Sequence, residues 1–174
     1  VIGTTGISSA QKNKIKIFSK KIPILMSSNM SLAVNLLFNL VKQTSSALKE
    51  TDYDIEIAET HHKHKKDAPS GTALSLGDYA ALGRKTSLNK SKILDRTKKL
   101  SSRKKGDIGF ATLRGGDVAG DHVVVFAGEG ERLELTHRAS DRAVFAVGAV
   151  RAALWTVDQA PGLYSMADVL TLEN

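Results

Sequence analysis

The sequence predicts an α/β fold made of a parallel-sheet part and an α+β part with a mixed sheet of about four strands. Short apolar runs alternate with helical segments in the first half of the chain, a pattern typical of parallel sheets. Three strand-like runs follow each other later, and a glycine-containing connection of hairpin type joins the last two.

The first thirty residues predict a strand, a turn, a helix, a second strand and a second turn. Val1-Ile2 reads as a strand that enters the glycine-rich turn 3–6. A short helix is expected from Gln11 to Ser19. The compact apolar run Ile22–Met26 predicts a buried strand, which ends in the polar turn 27–29.

Two helices are predicted from their caps and apolar spacing. Ser31 is a suitable N-cap for a long helix from Leu32 to about Lys49. Ser70 begins a second helix, which stops near Gly83.

A half-buried strand is predicted over Asp54–Thr60, between these helices. Its residues alternate, so that Ile55 and Ile57 face one way and Glu56 and Glu59 roughly the other.

The second half of the chain predicts three strands and a helix. The strands cover Ile108–Leu113, His122–Ala127 and Arg132–Thr136, and Gly128–Glu131 is the hairpin connection. The helix covers about 140–156. Its buried side is expected to contain Ala143, Val147, Val150, Ala153 and Leu154.

Composition and charge exclude some classes of protein. The chain has no cysteine, so disulfide frameworks and thiolate chemistry are excluded, and its apolar runs are too short to span a bilayer. Ten of its 25 Lys and Arg residues lie in 84–105, against one Asp. Residues 85–105 lack apolar periodicity and are expected to form a mobile loop. Salt-dependent binding of nucleic acid is an alternative, which the lack of aromatic residues for stacking disfavours.

The densest chemical signal is the run 59–74, which joins a strand end to a helix start. With Ser70 as the cap, the backbone N–H groups of Gly71, Thr72 and Ala73 are expected to point at one spot and to attract an anion. Three histidines and three lysines lie just upstream. This combination suits a carboxylate substrate that is protonated during reaction.

Three simpler interpretations of this run remain open. Ser-Gly-Thr before a helix is most often only a cap. The histidines are a weak candidate for a metal site, because strand geometry sends His61 and His62 to opposite faces and no HExxH pattern is present. A solvated basic loop is the third interpretation.

The run Glu59–Leu74 resembles the signature E-x-H-H-x-x-K-x-D-A-P-S-G-T-A of the 4-hydroxy-tetrahydrodipicolinate reductases. Other segments agree with that family in order, and the resemblance covers essentially the whole chain. These segments are Gly3–Gly6, Ser28–Ser31 with Val34-Asn35, Gly109–Ala111, Leu113–Gly116, Gly120–His122 and Glu134–Ala139.

The resemblance implies reduction of a cyclic dicarboxylate by NADH or NADPH in lysine and diaminopimelate synthesis. It implies that His61 is the general acid, assisted by Lys65. His62, Ser70, Gly71 and Thr72 would hold substrate carboxylate. The nicotinamide end of the cofactor would contact Gly3, Thr4, Thr5, Ser27, Ser28, Asn29 and Met30. No metal is implied.

The resemblance also implies how the chain is organised. Residues 1–30 and 156–174 would belong to a Rossmann-type dinucleotide-binding domain, and residues 31–155 to a substrate-binding and oligomerisation domain. A cytoplasmic homotetramer without membrane contact is expected. The family's G-x-x-G-x-M-G turn has no counterpart here, so a missing front of that domain, weak cofactor binding and no turnover by this fragment alone are expected. A non-catalytic fragment that binds small dicarboxylates is the alternative. Met30 replaces an aromatic residue common in its turn.

Overall fold

The computed structural model describes residues 1–4, 6–97 and 102–172. They form two compact units, Val1–Leu36 with Asp141–Asn174 (the first unit) and Leu37–Ser140 (the second unit). In chain order the elements are α1 (Ser9–Phe18), β1 (Pro23–Leu25), α2 (Leu32–Ala47), β2 (Asp54–His61), α3 (Gly71–Gly83), α4 (Leu88–Ser91), β3 (Lys92–Ile93), β4 (Ile108–Arg114), β5 (Gly120–Ala127), β6 (Arg132–Ala139), α5 (Ala143–Val157), β7 (Gly162–Tyr164) and α6 (Met166–Val169).

The first unit contains a small parallel sheet. β1 pairs with β7, and Ile2 forms an isolated parallel bridge with Met26 just after β1. Strand β7 lies in the segment 156–174, for which the sequence predicts no strand. Helix α1 begins two residues before its predicted start because Ser8 and Gln11 form a capping box. Parallel pairing of the chain's two ends is compatible with a Rossmann-type arrangement, and the predicted division at 1–30, 31–155 and 156–174 stays a prediction.

The buried side of α5 differs from the prediction. Val147, expected to be buried, is 63% exposed, and the large residues Val150 and Leu154 are exposed as well. Gly148, Ala152 and Thr156 form the buried side instead. The reason is a close approach, since a Cβ added at Gly148 would lie 1.8 Å from the Met30 carbonyl oxygen.

The second unit is built on a mixed sheet of five strands in the order β3-β4-β2-β5-β6. β4 is parallel to both of its neighbours, β3 and β2, whereas β5 is antiparallel to both of its neighbours, β2 and β6. The predicted hairpin is confirmed, with Gly128 N–H bonded to the Glu131 carbonyl at 2.9 Å. The fifth strand, β3, lies inside the segment that was expected to be a mobile loop.

That expectation for 85–105 is wrong in several places. Besides α4 and β3, the segment contains Arg103, whose side chain is only 17% exposed and binds Asp54 at 2.6 Å and Glu56 at 3.0 Å. Arg96 also pairs with Glu56, and Arg84 donates to the Tyr53 carbonyl at 2.5 Å. These arginines are held by acidic side chains and carbonyls of the protein, which disfavours the nucleic-acid alternative. Residues 98–101 lie outside the described part.

The face assignment along β2 also needs one correction. Ile55 and Ile57 are buried as predicted, but Glu59 is buried on the same side, at 1% exposure. Strand geometry places every second residue on one face, so Glu59 follows Ile57 into the interior. Across the described ranges, no helix is long and apolar enough to cross a membrane.

Candidate active site

Four element ends of the second unit meet at one edge of the sheet. β2 ends at His61 and the parallel β4 ends at Arg114, and these two residues are register partners. The antiparallel β5 starts at the same edge and pairs His122 with Glu59. Helix α3 begins there too, because the Ser70 N–H donates to the Glu59 carboxylate at 3.0 Å.

The buried Glu59 carboxylate bonds to several groups of this site. Its Oε2 accepts from Arg114 Nη1 at 2.8 Å and contacts His61 Nδ1 at 2.5 Å. Its Oε1 accepts from Arg114 Nη2 at 2.9 Å, from the Ser70 N–H and from Thr112 Oγ1 at 3.3 Å. Burial raises the pKa of Glu59, but the hydrogen bonds from Arg114, His61 and Ser70 outweigh it, so the pKa lies below its ordinary value.

The charge state of Glu59 determines which nitrogen of His61 is available. An ionised carboxylate only accepts hydrogen bonds, so the Nδ1 of His61 is the donor. The Nε2 atom is then free to exchange a proton. A Cβ on Gly120 would lie 3.0 Å from this Nε2, so the glycine keeps side-chain atoms away from it. Burial lowers the pKa of His61, and Glu59 opposes that shift.

A second histidine lies against the first. The rings of His61 and His122 make an edge contact with centroids 5.1 Å apart. Burial, with a smaller contribution from His61, lowers the pKa of His122 to about 4, so His122 is neutral at pH 7. Its Nε2 contacts Ser70 Oγ at 3.1 Å, and this hydroxyl also accepts from the Ala73 N–H at 3.1 Å.

The helix start is therefore capped as predicted, with one correction to the anion site. The Ala73 N–H is bonded to Ser70 and is not available to a ligand. Gly71 is exposed and Thr72 is half-buried at the first turn of α3. The Gly71 amide in turn contacts the Asp67 carboxylate, so the predicted anion site at these two residues stays a prediction.

Lys65 and Asp67 lie beside this helix start. The Lys65 ammonium binds the Asp67 carboxylate at 2.8 Å. This hydrogen bond, opposed by partial burial and supported weakly by the Gly71 amide, holds the pKa of Asp67 below its ordinary range. His62 is half-buried and its N–H donates to the Val118 carbonyl at 2.8 Å. The structure thus joins His61 and Ser70 through Glu59, whereas Lys65 is paired with Asp67.

The predicted cofactor residues lie in the first unit. Ser27 N–H donates to the Ile2 carbonyl at 3.1 Å, which places turn 27–30 beside the Gly3-Thr4 turn. Ser27 Oγ donates to the Asn29 carbonyl at 2.7 Å. A Cβ on Gly3 would come within 3.1 Å of the buried Met30 side chain.

Turn 27–30 follows β1 and the Gly3-Thr4 turn follows the parallel bridge at Ile2, and the ends of parallel strands are the usual place for a nucleotide in such sheets. The residues present therefore fit that use. Thr5 lies outside the described residues.

Sequence reasoning missed three members of the site: Glu59, Arg114 and His122. Arg114 lies in the family segment Leu113–Gly116, to which the sequence assigned no role, yet it binds Glu59 through both terminal nitrogens. The period-2 pattern could have identified Glu59. Nothing local signals the other two. Within the described part of the chain, no group of three or more His, Cys, Asp and Glu side chains is arranged to hold a metal ion.

Two family models match this chain. The family described as "Dihydrodipicolinate reductase, C-terminus" matches residues 33–170, and "Dihydrodipicolinate reductase, N-terminus" matches residues 1–30. A 4-hydroxy-tetrahydrodipicolinate reductase of Agrobacterium fabrum is 55% identical over the whole chain, and one of Rhodopseudomonas palustris is 56% identical. The chain spans 63% of the length of each of these two relatives.

A solved structure has a similar fold. It is a dipicolinate-bound dihydrodipicolinate reductase from Paenisporosarcina sp. TG-14, with a TM-score of 0.74 and 23% identity. The match covers 96% of this chain and 62% of that one. The family match over 33–170 covers most of the sequence. The chain therefore belongs to the dihydrodipicolinate reductase family.

Proposed function

We propose that the protein reduces 4-hydroxy-tetrahydrodipicolinate with a nicotinamide cofactor, NADH or NADPH, as a step of lysine and diaminopimelate synthesis. One observation carries the proposal: His61 is buried against the Glu59 carboxylate, at the edge of the sheet where α3 begins. Its relatives in Agrobacterium and Rhodopseudomonas carry the name of this reductase.

In this proposal His61 Nε2 gives the proton and Lys65 assists it. Loss of the 4-hydroxyl group as water leaves a conjugated ring, hydride addition to that ring builds negative charge, and the proton from His61 neutralises it. An acid and a fixed cation beside the ring therefore lower the barrier. The pKa of His61 is low because of burial. A bound dicarboxylate would favour the imidazolium form, and would thus load the proton when the substrate arrives.

The substrate is held by its carboxylates. His62, Ser70, Gly71 and Thr72 are proposed to bind one of them at the start of α3, where the helix dipole and backbone donors favour an anion. The dipicolinate-bound structure from Paenisporosarcina supports a small planar dicarboxylate as the ligand class.

The cofactor is assigned to the first unit. When bound, the nicotinamide supplies the hydride. We propose that Gly3, Thr4, Thr5 and the turn 27–30 contact its nicotinamide end. The position of turn 27–30 after β1, with the Gly3-Thr4 turn after the parallel bridge at Ile2, supports this assignment.

A cytoplasmic homotetramer is the proposed assembly. Its support is the family membership and the exposed large apolar residues of the second-unit sheet, Leu113 at 55% and Leu133 at 44% exposure. Sedimentation of the purified protein tests the oligomeric state.

Substrate binding is tested on the chain itself. Pyridine-2,6-dicarboxylate is titrated calorimetrically into the protein and into Thr72→Val, which keeps the shape of the side chain but lacks the hydroxyl. We expect the variant to bind about 1–3 kcal/mol more weakly. Thr156→Val, a matched change in the first unit, is the control. Equal affinity of wild type and Thr72→Val would move the substrate site elsewhere.

Turnover is tested in a chimera, because the chain spans 63% of its Agrobacterium relative. The part of that relative that this chain does not cover is joined to residues 1–174, and oxidation of NADH and NADPH is followed after adding 4-hydroxy-tetrahydrodipicolinate. Turnover supports the reductase. Dicarboxylate binding without turnover would favour the alternative, a protein that only binds small dicarboxylates.

A further inference from the structure

Arg114, at the end of β4, contacts both parts of the proposed acid. Its Nη1 and Nη2 bind the two oxygens of Glu59 at 2.8 and 2.9 Å. Its Nε donates to the Lys65 carbonyl at 3.3 Å and its Nη2 to the Asp67 carbonyl at 2.6 Å. One guanidinium therefore joins the carboxylate behind His61 to the backbone that carries Lys65.

We propose that Arg114 is a positioning residue, which holds Glu59 against His61, fixes the backbone of Lys65 beside them, and neutralises the carboxylate so that His61 Nε2 can release its proton. The proposal rests on the roles given above to His61 and Lys65. It adds a residue that touches neither substrate nor cofactor and acts only through others.

The first part of the argument concerns the buried carboxylate. Glu59 is 1% exposed and ionised, so it attracts the imidazole strongly in the absence of another cation. A carboxylate paired only with His61 would keep that ring as a tight imidazolium ion pair. A general acid held in this way gives up its proton poorly. Arg114 supplies the compensating charge and leaves the Nδ1 hydrogen bond in place.

The second part concerns geometry. A guanidinium is planar and its two terminal nitrogens match the two oxygens of a carboxylate, which fixes the Glu59 plane and hence the direction of Oε2 toward Nδ1. The Arg114 guanidinium also donates to two carbonyls of the connection between β2 and α3, those of Lys65 and Asp67. A lysine at position 114 could supply the charge but could not make this set of directed bonds.

The charged and titratable groups around His61 make the proposal testable. They are Glu59 on the same strand, Lys65 on the following connection, Arg114 on β4 and His122 on β5. Glu59 raises the pKa of His61, whereas Arg114 and Lys65 lower it, after burial, which is the largest effect. Removing Glu59 or Arg114 should therefore move the pKa of His61 in opposite directions.

The experiment is a ¹⁵N NMR titration of the imidazole nitrogens of His61 in the 174-residue chain. In the wild type we expect the neutral ring to carry its proton on Nδ1. Arg114→Met should raise the pKa of His61, and Glu59→Gln should lower it, each by about 1–3 pH units. Arg138→Met, an exposed arginine of β6, is the control and should leave the titration unchanged.

General loosening of the fold gives a different result. Loosening exposes His61 and raises its pKa toward the ordinary value in both variants. A raised pKa of His61 in Glu59→Gln, or an unchanged pKa in Arg114→Met, therefore overturns the proposal. If Arg114→Met does not fold, Arg114→Lys replaces it. Arg114→Lys should raise the pKa of His61 by less than Arg114→Met, because the lysine keeps the charge but loses the paired bonds. An unchanged pKa of His61 in Arg114→Lys would contradict the proposal.

The same result separates this proposal from the reductase assignment. Opposite shifts together with an inactive chimera would leave the positioning role standing and reject the reductase. An active chimera, together with the same pKa of His61 in all variants, would support the reductase and reject the positioning role.

Discussion

Acidification should destabilise the second unit through His122. This imidazole is 4% exposed, and burial lowers its pKa to about 4, from an ordinary value of 6.5. The unfolded chain therefore binds more protons than the folded one between these two values. The contribution of neutral His122 to stability is fully present above about pH 6.5 and is lost as the pH falls toward 4.

The size of the effect follows from the two pKa values of His122. At pH 5 the unfolded imidazole is almost fully protonated and the folded one is mostly neutral. Linkage then gives a loss of about 2 kcal/mol between pH 7 and pH 5 from this residue alone. Burial also lowers the pKa of His61 and of His137, which adds to the loss in the same direction.

Urea unfolding measures this difference at the two pH values. NMR peak intensities of buried β5 residues such as Val124 report on the second unit. His122→Phe keeps a ring of similar size but cannot titrate, so its loss of stability from pH 7 to pH 5 should be about 2 kcal/mol smaller than in the wild type. His64→Gln, a change at an exposed histidine, should behave as the wild type.

The comparison depends on the pH difference and not on the absolute stability of His122→Phe. That variant also loses the contact with Ser70 Oγ, which lowers stability at both pH values. If His122→Phe loses as much stability between pH 7 and pH 5 as the wild type, His122 is not held neutral by burial.

Two further changes test the packing. Arg103→Gln removes bonds to two acidic side chains and to the Ile55 carbonyl, and should cost about 1–3 kcal/mol of unfolding free energy, whereas the exposed Lys104→Gln should cost less than about 0.5. Equal urea midpoints for these two variants would mean that the basic segment is solvated. Gly148→Ala should cost about 2 kcal/mol or more because its Cβ meets the Met30 carbonyl, while Val147→Ala on the exposed side of α5 should be near neutral. A well-tolerated Gly148→Ala would place α5 farther from that turn.

Local patterns predicted the elements of this chain well. Alternation predicted β2, the glycine-containing connection predicted the β5–β6 hairpin, and Ser70 was correctly identified as the cap of α3. These features depend on neighbouring residues, so the sequence contains the information directly. The prediction failed for Glu59 because residue type was allowed to override the strand period.

Features that depend on distant residues were not predictable from local sequence. Arg114 reaches Glu59 because β4 lies parallel to β2 with Arg114 beside His61, a register that no local pattern encodes. The buried side of α5 follows Gly148 and not the large apolar residues, since close backbone approach selected a small residue there. The family resemblance assigns roles to His61 and Lys65, which stay predictions, and gave no role to Glu59, Arg114 or His122.

The role of His61 is tested most directly by steady-state kinetics of His61→Gln in the chimera. The proton is needed mainly in the transition state, so kcat should fall by about 10²–10⁴-fold while KM for 4-hydroxy-tetrahydrodipicolinate changes far less. His64→Gln, an exposed histidine three residues away, is the matched control and should retain the activity of the parent. A kcat in His61→Gln equal to that of the parent chimera would remove His61 from the mechanism and contradict the proposed function of this site.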